Sequence, residues 1–172
     1  TGSRMRLHRS GKRFRERKKQ MTRLTVEMKK VLAGHSLGYV ASIAADGSPS
    51  LSPKATFLPF GADKIMFGEM RSPTTVRNIA ANPMVEVNFV DVLARKGFRC
   101  KGPAVFHARG TEQFDACLAE FAKVRDQALL DMFNGIVLID LESASPLVSP
   151  AYETGETEES LRAAFKDVYA KL

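Results

Sequence analysis

The sequence predicts a mainly β, α+β protein: an antiparallel barrel or sheet with peripheral helices. Three observations carry this. Six segments read as strands, and the first two are joined by a hairpin signal at Asp46-Gly47. Few helical segments lie between them, and only the stretch from about 64 to 90 has the strand–helix–strand order of a crossover. The chain holds no G-x-G-x-x-G, which disfavours a parallel dinucleotide-binding sheet.

The elements follow in order. Residues 22–34 read as a helix, with Leu24, Met28, Val31 and Leu32 at helical spacing and Gly34 as its stop. Residues 37–44 read as a strand, and its return strand runs from about Ser48 to Phe57. Gly61-Ala62-Asp63 turns into a third strand, Lys64 to Glu69. Ser72 and Pro73 suit the N-cap and first position of a short helix, which Asn82-Pro83 stops. From Met84 to Val90 apolar residues alternate, with Val85, Val87 and Phe89 on one face. Another strand spans about Phe98 to His107. Thr111 opens a long helix to about Met132, with Phe114, Leu118, Phe121, Ala128 and Met132 along one side. Ile136 to Leu141 is a buried strand. A Ser- and Pro-rich loop leads to a last helix, Glu158 to about Lys171, opened by Thr157 with Glu158 and Glu159 in its first turn.

The chain has 172 residues, 44% of them apolar and 26% charged, which fits one folded domain and excludes wholesale disorder. No apolar stretch nears the roughly 18 residues of a membrane span, and the basic start lacks the apolar run of a secretory signal. Cys100 and Cys117 form no C-x-x-C pair, which points to a reducing, cytoplasmic setting. His8, His35 and His107 have no metal-ligand spacing, so no metal site is expected.

The net charge of +7 is concentrated at one end. Residues 1–24 hold ten Lys/Arg and one acid, Glu16, so the other 148 residues are mildly acidic, at −2. The expected division is a basic arm or extension at 1–21 and a single domain at 22–172. Such an arm can tether to nucleic acid or an anionic surface by counterion release. The alternative is a solvated extension: Thr1-Gly2-Ser3 resembles a cloning scar, Met5 and Met21 are candidate starts, and Phe14 is the arm's lone aromatic.

Gly34-His35-Ser36-Leu37-Gly38 matches the hydrolase pattern G-x-S-x-G, but that motif needs a strand before the serine and a helix after it. Here the order is reversed, and the expected role is a helix-ending turn. The return strand is more informative. Alternation sets Ser48, Ser50, Ser52, Lys54 and Thr56 on one face. Hydroxyls around one ammonium make an anion cradle, and the other reading is an ordinary solvent-facing strand. Arg71-Ser72-Pro73-Thr74-Thr75-Val76-Arg77 opens a helix, whose unpaired N–H groups and positive end attract phosphate. The two segments are separated by one strand and can converge on one phosphate. Lys101-Gly102, inside a strand, marks either a close backbone approach to a ligand or a barrel corner.

Together these segments resemble the pyridoxamine 5′-phosphate oxidase-like family, the FMN-binding split barrels. "LGYVASIAADGSPSLSPKATF", "RSPTTVRNIAANPMVEVNFVD", "GFRCKGPA" and "SPAYETGETEESLRAAF" carry the resemblance over residues 25–172 by their order and spacing. It implies a six-stranded antiparallel split β-barrel. It implies a homodimer packed barrel to barrel, with FMN in the cleft at the subunit interface. Ser52, Pro53, Lys54, Ala55 and Thr56 would line the phosphate and ribityl chain. Thr74 and Thr75, with Arg71 nearby, would bind the phosphate. Glu69 and Met70 would lie beside the isoalloxazine, and Lys101 and Gly102 near its edge. The chain departs from authentic pyridoxamine phosphate oxidases: serine, threonine and one lysine replace a more cationic pattern, and "SPAYETG" replaces their C-terminal arginine and histidine pattern. The expectation is therefore the broad branch of the family rather than vitamin B6 oxidation.

That resemblance implies an FMN-dependent oxidoreductase acting on an unidentified small molecule. The flavin carries the redox chemistry, so no catalytic acid, base or nucleophile need stand out. The alternatives are a flavin carrier or redox sensor without turnover, the same fold holding a deazaflavin or haem, and nucleic-acid binding through the arm. Cys100 and Cys117 are expected in the core.

Overall fold

The computed structural model describes residues 22–172; the basic arm at 1–21 lies outside the described residues. Helix α1 (Val26–Gly34) starts where Thr25 Oγ1 accepts the Met28 N–H, and it buries Met28 and Leu32. Strands β1 (Gly38–Ile43) and β2 (Pro49–Lys54) form the first hairpin. Its turn is not the two-residue type. The Ala44 N–H bonds Ser48 O and the Gly47 N–H bonds Ala44 O, with Gly47 at φ +83°, so the loop has three residues and a left-handed glycine. The Ser48 side chain is held by Asp46, inside this turn.

The return strand also ends early. It stops at Lys54, and a separate short strand, β3 (Leu58–Phe60), pairs with β4 (Lys64–Glu69). Helix α2 (Pro73–Ala81) leads to β5 (Met84–Asp91), and β6 (Lys96–Ala108) follows it. The predicted long helix is two: α3 (Glu112–Phe121), capped by Thr111, and the four-residue α4 (Gln127–Leu130). The N–H groups of Val124 and Arg125 both fold back onto Phe121 O, ending the first helix. Phe133 then packs edge-to-face on Phe121, with ring centroids 5.1 Å apart. This contact between residues that straddle the break replaces a continued helical stripe. Strand β7 (Gly135–Asp140) precedes β8 (Ser143–Val148), which falls in the predicted loop. Pro146 is tolerated there because β8 is an edge strand, paired only with β6. A 3-10 turn at Pro150–Thr154 leads to α5 (Glu158–Tyr169), opened by a Thr157/Ser160 capping box.

The strand order is β2-β1-β5-β6-β7-β4-β3, with β8 beside β6 and every pairing antiparallel. Among the described residues, eight strands comprise the six expected and two additions, the three-residue β3 and the six-residue β8, and they form an open split barrel. β6 bridges two sheets: residues 96–101 pair with β8, and residues 104–108 pair with β7. Gly102 sits at the handover. A Cβ there would collide with the Asp140 carbonyl, so the glycine is a barrel corner. The crossover through α2 joins β4 to β5, three places apart in the sheet order.

Two cores result. Inside the barrel lie Phe57, Phe67, Phe89, Phe98, Val40 and Ile65. Under α3 and α4 lie Met66, Phe114, Cys117, Phe121, Leu130 and Phe133. Both cysteines are buried free thiols, as expected. Burial, then the nearby Glu86 charge, pushes the Cys100 thiol up to about 12, and burial also raises Cys117. Neither is a nucleophile at neutral pH. Among the described residues no helix is long and apolar enough to cross a membrane, and no cluster of metal-ligating side chains forms.

Candidate functional site

The barrel's opening lies between β2 and the end of β4. Thr56 spans it: its Oγ1 donates to Gly68 O at 3.1 Å and accepts the Gly68 N–H at 3.0 Å. The buried threonine thus stands in for a missing strand partner, and its hydroxyl is not free for a ligand. The hydroxyl stripe reduces to Ser50, Ser52 and Lys54, whose face is half-buried while Pro49, Leu51 and Pro53 point outward. The solvent-facing reading of that stripe is thereby set aside.

Beside Thr56 opens a cleft of about 940 Å³. One wall is Ser52 to Thr56, and a second is Gly68, Met70, Arg71 and Ser72. Leu37, from the segment before β1, and Met132 and Asn134, from the segment after α4, complete it. Lys54 stays along its own wall: its Nζ donates to Ser52 Oγ and to Pro53 O. It stands 5.9 Å from the Phe67 ring centroid. Burial lowers the Lys54 ammonium below the ordinary lysine value, and the Glu69 charge pulls it part of the way back. Among the described residues neither Lys54 nor Arg71 forms an ion pair. A half-buried cation without a contacting carboxylate favours an anionic ligand.

Helix α2 begins at the same wall. Ser72 does not cap it with its side chain. The buried Glu69 accepts from both the Ser72 N–H and the Ser72 hydroxyl, so a carboxylate already occupies part of the helix's positive end. Pro73 has no N–H, and the first intrahelical bond is Val76 N–H to Ser72 O, so the N–H groups of Thr74 and Thr75 precede it. The Thr74 hydroxyl accepts from Arg77 at 3.2 Å, and Thr75 is buried. Asn78, one turn on, ties α2 to β1 by donating to Ser42 Oγ at 3.0 Å.

Of the residues singled out from sequence, Ser52, Pro53, Lys54, Ala55, Thr56, Met70 and Arg71 share the cleft. Glu69, at the end of β4, and Thr74 and Thr75, in the first turn of α2, flank the second wall in sequence but do not line the cleft. Lys101 does not reach this space within one chain. It faces a hollow of about 220 Å³ on the outer sheet with Glu86, Arg99, Ser143 and Ser145. Gly102 is spent on the barrel corner. Sequence reasoning did not place Leu37, Gly68, Met132 or Asn134 at the site. Met132 and Asn134 arrive from more than sixty residues away, and no local pattern signals it. Ser36 donates to Ala55 O at 3.1 Å, between α1 and β1, so the G-x-S-x-G match is a turn and no nucleophile elbow.

The sequence profile of the pyridoxamine 5′-phosphate oxidase family matches residues 24–135, most of the described chain and every residue that lines the cleft. The chain belongs to this family. A comparison with curated proteins finds no match. Among solved structures, this family member is similar to HupZ of Group A Streptococcus, at 25% identity, 73% of this chain, 95% of the other and TM-score 0.62. It is also similar to a candidate pyridoxamine 5′-phosphate oxidase from Lactobacillus delbrueckii, at 21% identity, 72% and 93% coverage and TM-score 0.60. A third neighbour is HutZ, the heme storage protein of Vibrio cholerae, at 18% identity, 74% and 95% coverage and TM-score 0.58.

Proposed function

We propose that this member of the pyridoxamine 5′-phosphate oxidase family binds FMN in the cleft beside Thr56 and acts as a cytoplasmic oxidoreductase on a small molecule. Residues 22–172 are the binding unit. The observation that carries the reading is Lys54: a half-buried ammonium bonded to the Ser52 hydroxyl and the Pro53 carbonyl, in a cleft that Arg71 and Ser72, at the start of α2, also line. Lys54 and Arg71 would hold the phosphate with the N–H groups of Thr74 and Thr75. Ser52 would hold the ribityl hydroxyls, and Met70 would lie against the ring. When bound, FMN supplies hydride or single-electron transfer, and the protein orients and tunes it.

The outer face of the sheet supports a second copy of the chain as partner. Leu51 is 67% exposed, Tyr39 44% and Ile43 36%, and the register sets Tyr39 beside Pro53 and Ala41 beside Leu51. Such a contiguous apolar patch marks an interface. Lys101 lies on the same face, so pairing through it would carry Lys101 toward the partner's cleft, where it could stabilise a reduced, anionic flavin.

A visible spectrum of the freshly purified protein, with mass analysis of whatever heat releases, tests the reading. A blue flavin band and an FMN mass are expected. A Soret band would move the assignment to haem, the ligand of the HutZ neighbour. Among the described residues of one chain, the cleft walls offer two thioethers and no histidine, cysteine or tyrosine to such an iron, which supports flavin. Reduced holoprotein that no candidate acceptor reoxidises faster than air does would leave a carrier or sensor instead of an enzyme.

A further inference from the structure

Four bonds from one residue outside the cleft converge on its third wall. Arg109 follows β6 directly, and its backbone N–H donates to Asn134 O at 3.0 Å. Its Nε donates to Phe133 O at 2.8 Å, and its Nη2 to Leu130 O at 2.9 Å and Asp131 O at 3.2 Å. The guanidinium is braced 5.3 Å from the Phe114 ring centroid. Two of these carbonyls, of Leu130 and Asp131, end α4, a helix of four residues, too short to hold its own geometry, and the other two lie in the segment just after it. From the other side, Asn134 Nδ2 donates to Met70 O at 2.6 Å and the Asn134 N–H to Glu69 O at 2.8 Å. Between them the buried Phe133 ring covers Gly68, where no Cβ would fit. The segment is therefore clamped between β6 and the α2 wall, and it turns Met132, 60% exposed, into the mouth of the cleft.

We propose that residues 130–134 form a specificity-determining wall of the cleft and that Arg109 is the positioning residue that sets its place. This rests on the flavin reading above. Arg109 does not line the cleft; it acts through Met132 and Asn134. A fork of donors in fixed geometry is what collecting several carbonyls requires, and a lysine supplies one point charge instead. Met132, flexible and polarisable, is the wall's contact with a bound ring.

The test is FMN titration with visible circular dichroism of the bound flavin, beside thermal melts of the apo protein, for wild type, R109Q, R109K and M132A. R109Q is expected to weaken FMN binding roughly tenfold, about the loss of one good hydrogen bond's worth of alignment, and to change the flavin dichroism. R109K is expected to fall between wild type and R109Q. M132A leaves the clamp intact, so its apo melt should match wild type while the dichroism changes. R109Q that melts lower yet binds FMN with wild-type affinity and dichroism would reduce Arg109 to a fold residue and overturn the proposal. An unchanged M132A spectrum would overturn the wall's contact with ligand. If R109Q does not fold, R109K and M132A decide by the same readouts. Wild type that takes up no FMN removes the flavin reading and this proposal with it, whereas binding by wild type with unchanged variants removes this proposal alone.

Discussion

At the barrel's split, Lys54 and Arg71 line a cleft of hydroxyls, carbonyls and apolar side chains, and among the described residues neither forms an ion pair. Where β5 ends against α1 and α5, charges pair in a network. The buried Asp91 receives Arg162, stands 3.1 Å from His35 Nε2, and accepts the Leu93 and Ala94 N–H groups at 3.0 and 3.1 Å. Glu158 pairs with both Arg162 and Lys96, and Lys96 lies 4.3 Å from the Tyr152 ring centroid. Burial alone would raise the Asp91 carboxyl; the Ala94 N–H, Arg162 and the His35 charge outweigh it and hold it below the usual carboxylate range. Two cation-bearing regions thus do different work. One closes on itself and joins three elements. The other leaves cations unanswered, which costs stability and is characteristic of a binding site.

The comparison can be broken at four places. Gly68→Val drives a branched side chain into the Phe133 ring behind the cleft. It should cost about 3 kcal/mol in chemical denaturation, and a melt like wild type would show that the wall yields freely. Lys54→Ala should weaken FMN binding by about 1–3 kcal/mol and leave the apo melting temperature equal or higher, because it removes a desolvated charge. Unchanged flavin retention would take the phosphate away from Lys54.

Asp91→Asn should do the reverse: lose about 1–2 kcal/mol of stability with FMN affinity unchanged. Its pH dependence sharpens the point. The folded Asp91 pKa is depressed, so its contribution is full above the unfolded value, about 3.9, and fades as pH falls through the lower folded value. The acid limb of the stability curve should therefore flatten in the variant, and a parallel limb would exclude Asp91 as its source. The smallest effect on the monomer is expected from Leu51→Asp, within about 0.5 kcal/mol. Sedimentation should nevertheless show loss of self-association, and an unchanged dimer would move the interface off this face.

Much of the fold was legible because its signals are local. Alternation at Val85, Val87 and Phe89 marked β5, and all three are buried. Thr111 and Thr157 were readable as caps because an N-cap acts within one turn. Ser72 holds the N-cap position and Pro73 the first turn, as expected, but the Ser72 hydroxyl turns to the buried Glu69 instead of the helix, because the burial of a carboxylate is a long-range outcome. β8 was hidden because an edge strand draws its order from a partner some forty-five residues away, and Ser143, Ser145 and Pro146 carry no strand signal of their own.

The amino-acid sequence by itself determined an antiparallel β protein of this family, two core cysteines, and an anion-ready pair of segments around Lys54 and Arg71. These depend on residue type and short spacing. Only the tertiary structure decided that Thr56 would bridge the split to Gly68, that Lys101 would face the outer sheet, and that Met132 and Asn134 would close the cleft under the hold of Arg109. Those outcomes depend on contacts between residues distant along the chain. Backbone groups at an open barrel edge must be satisfied by whatever the fold brings within reach, and local pattern carries no record of it.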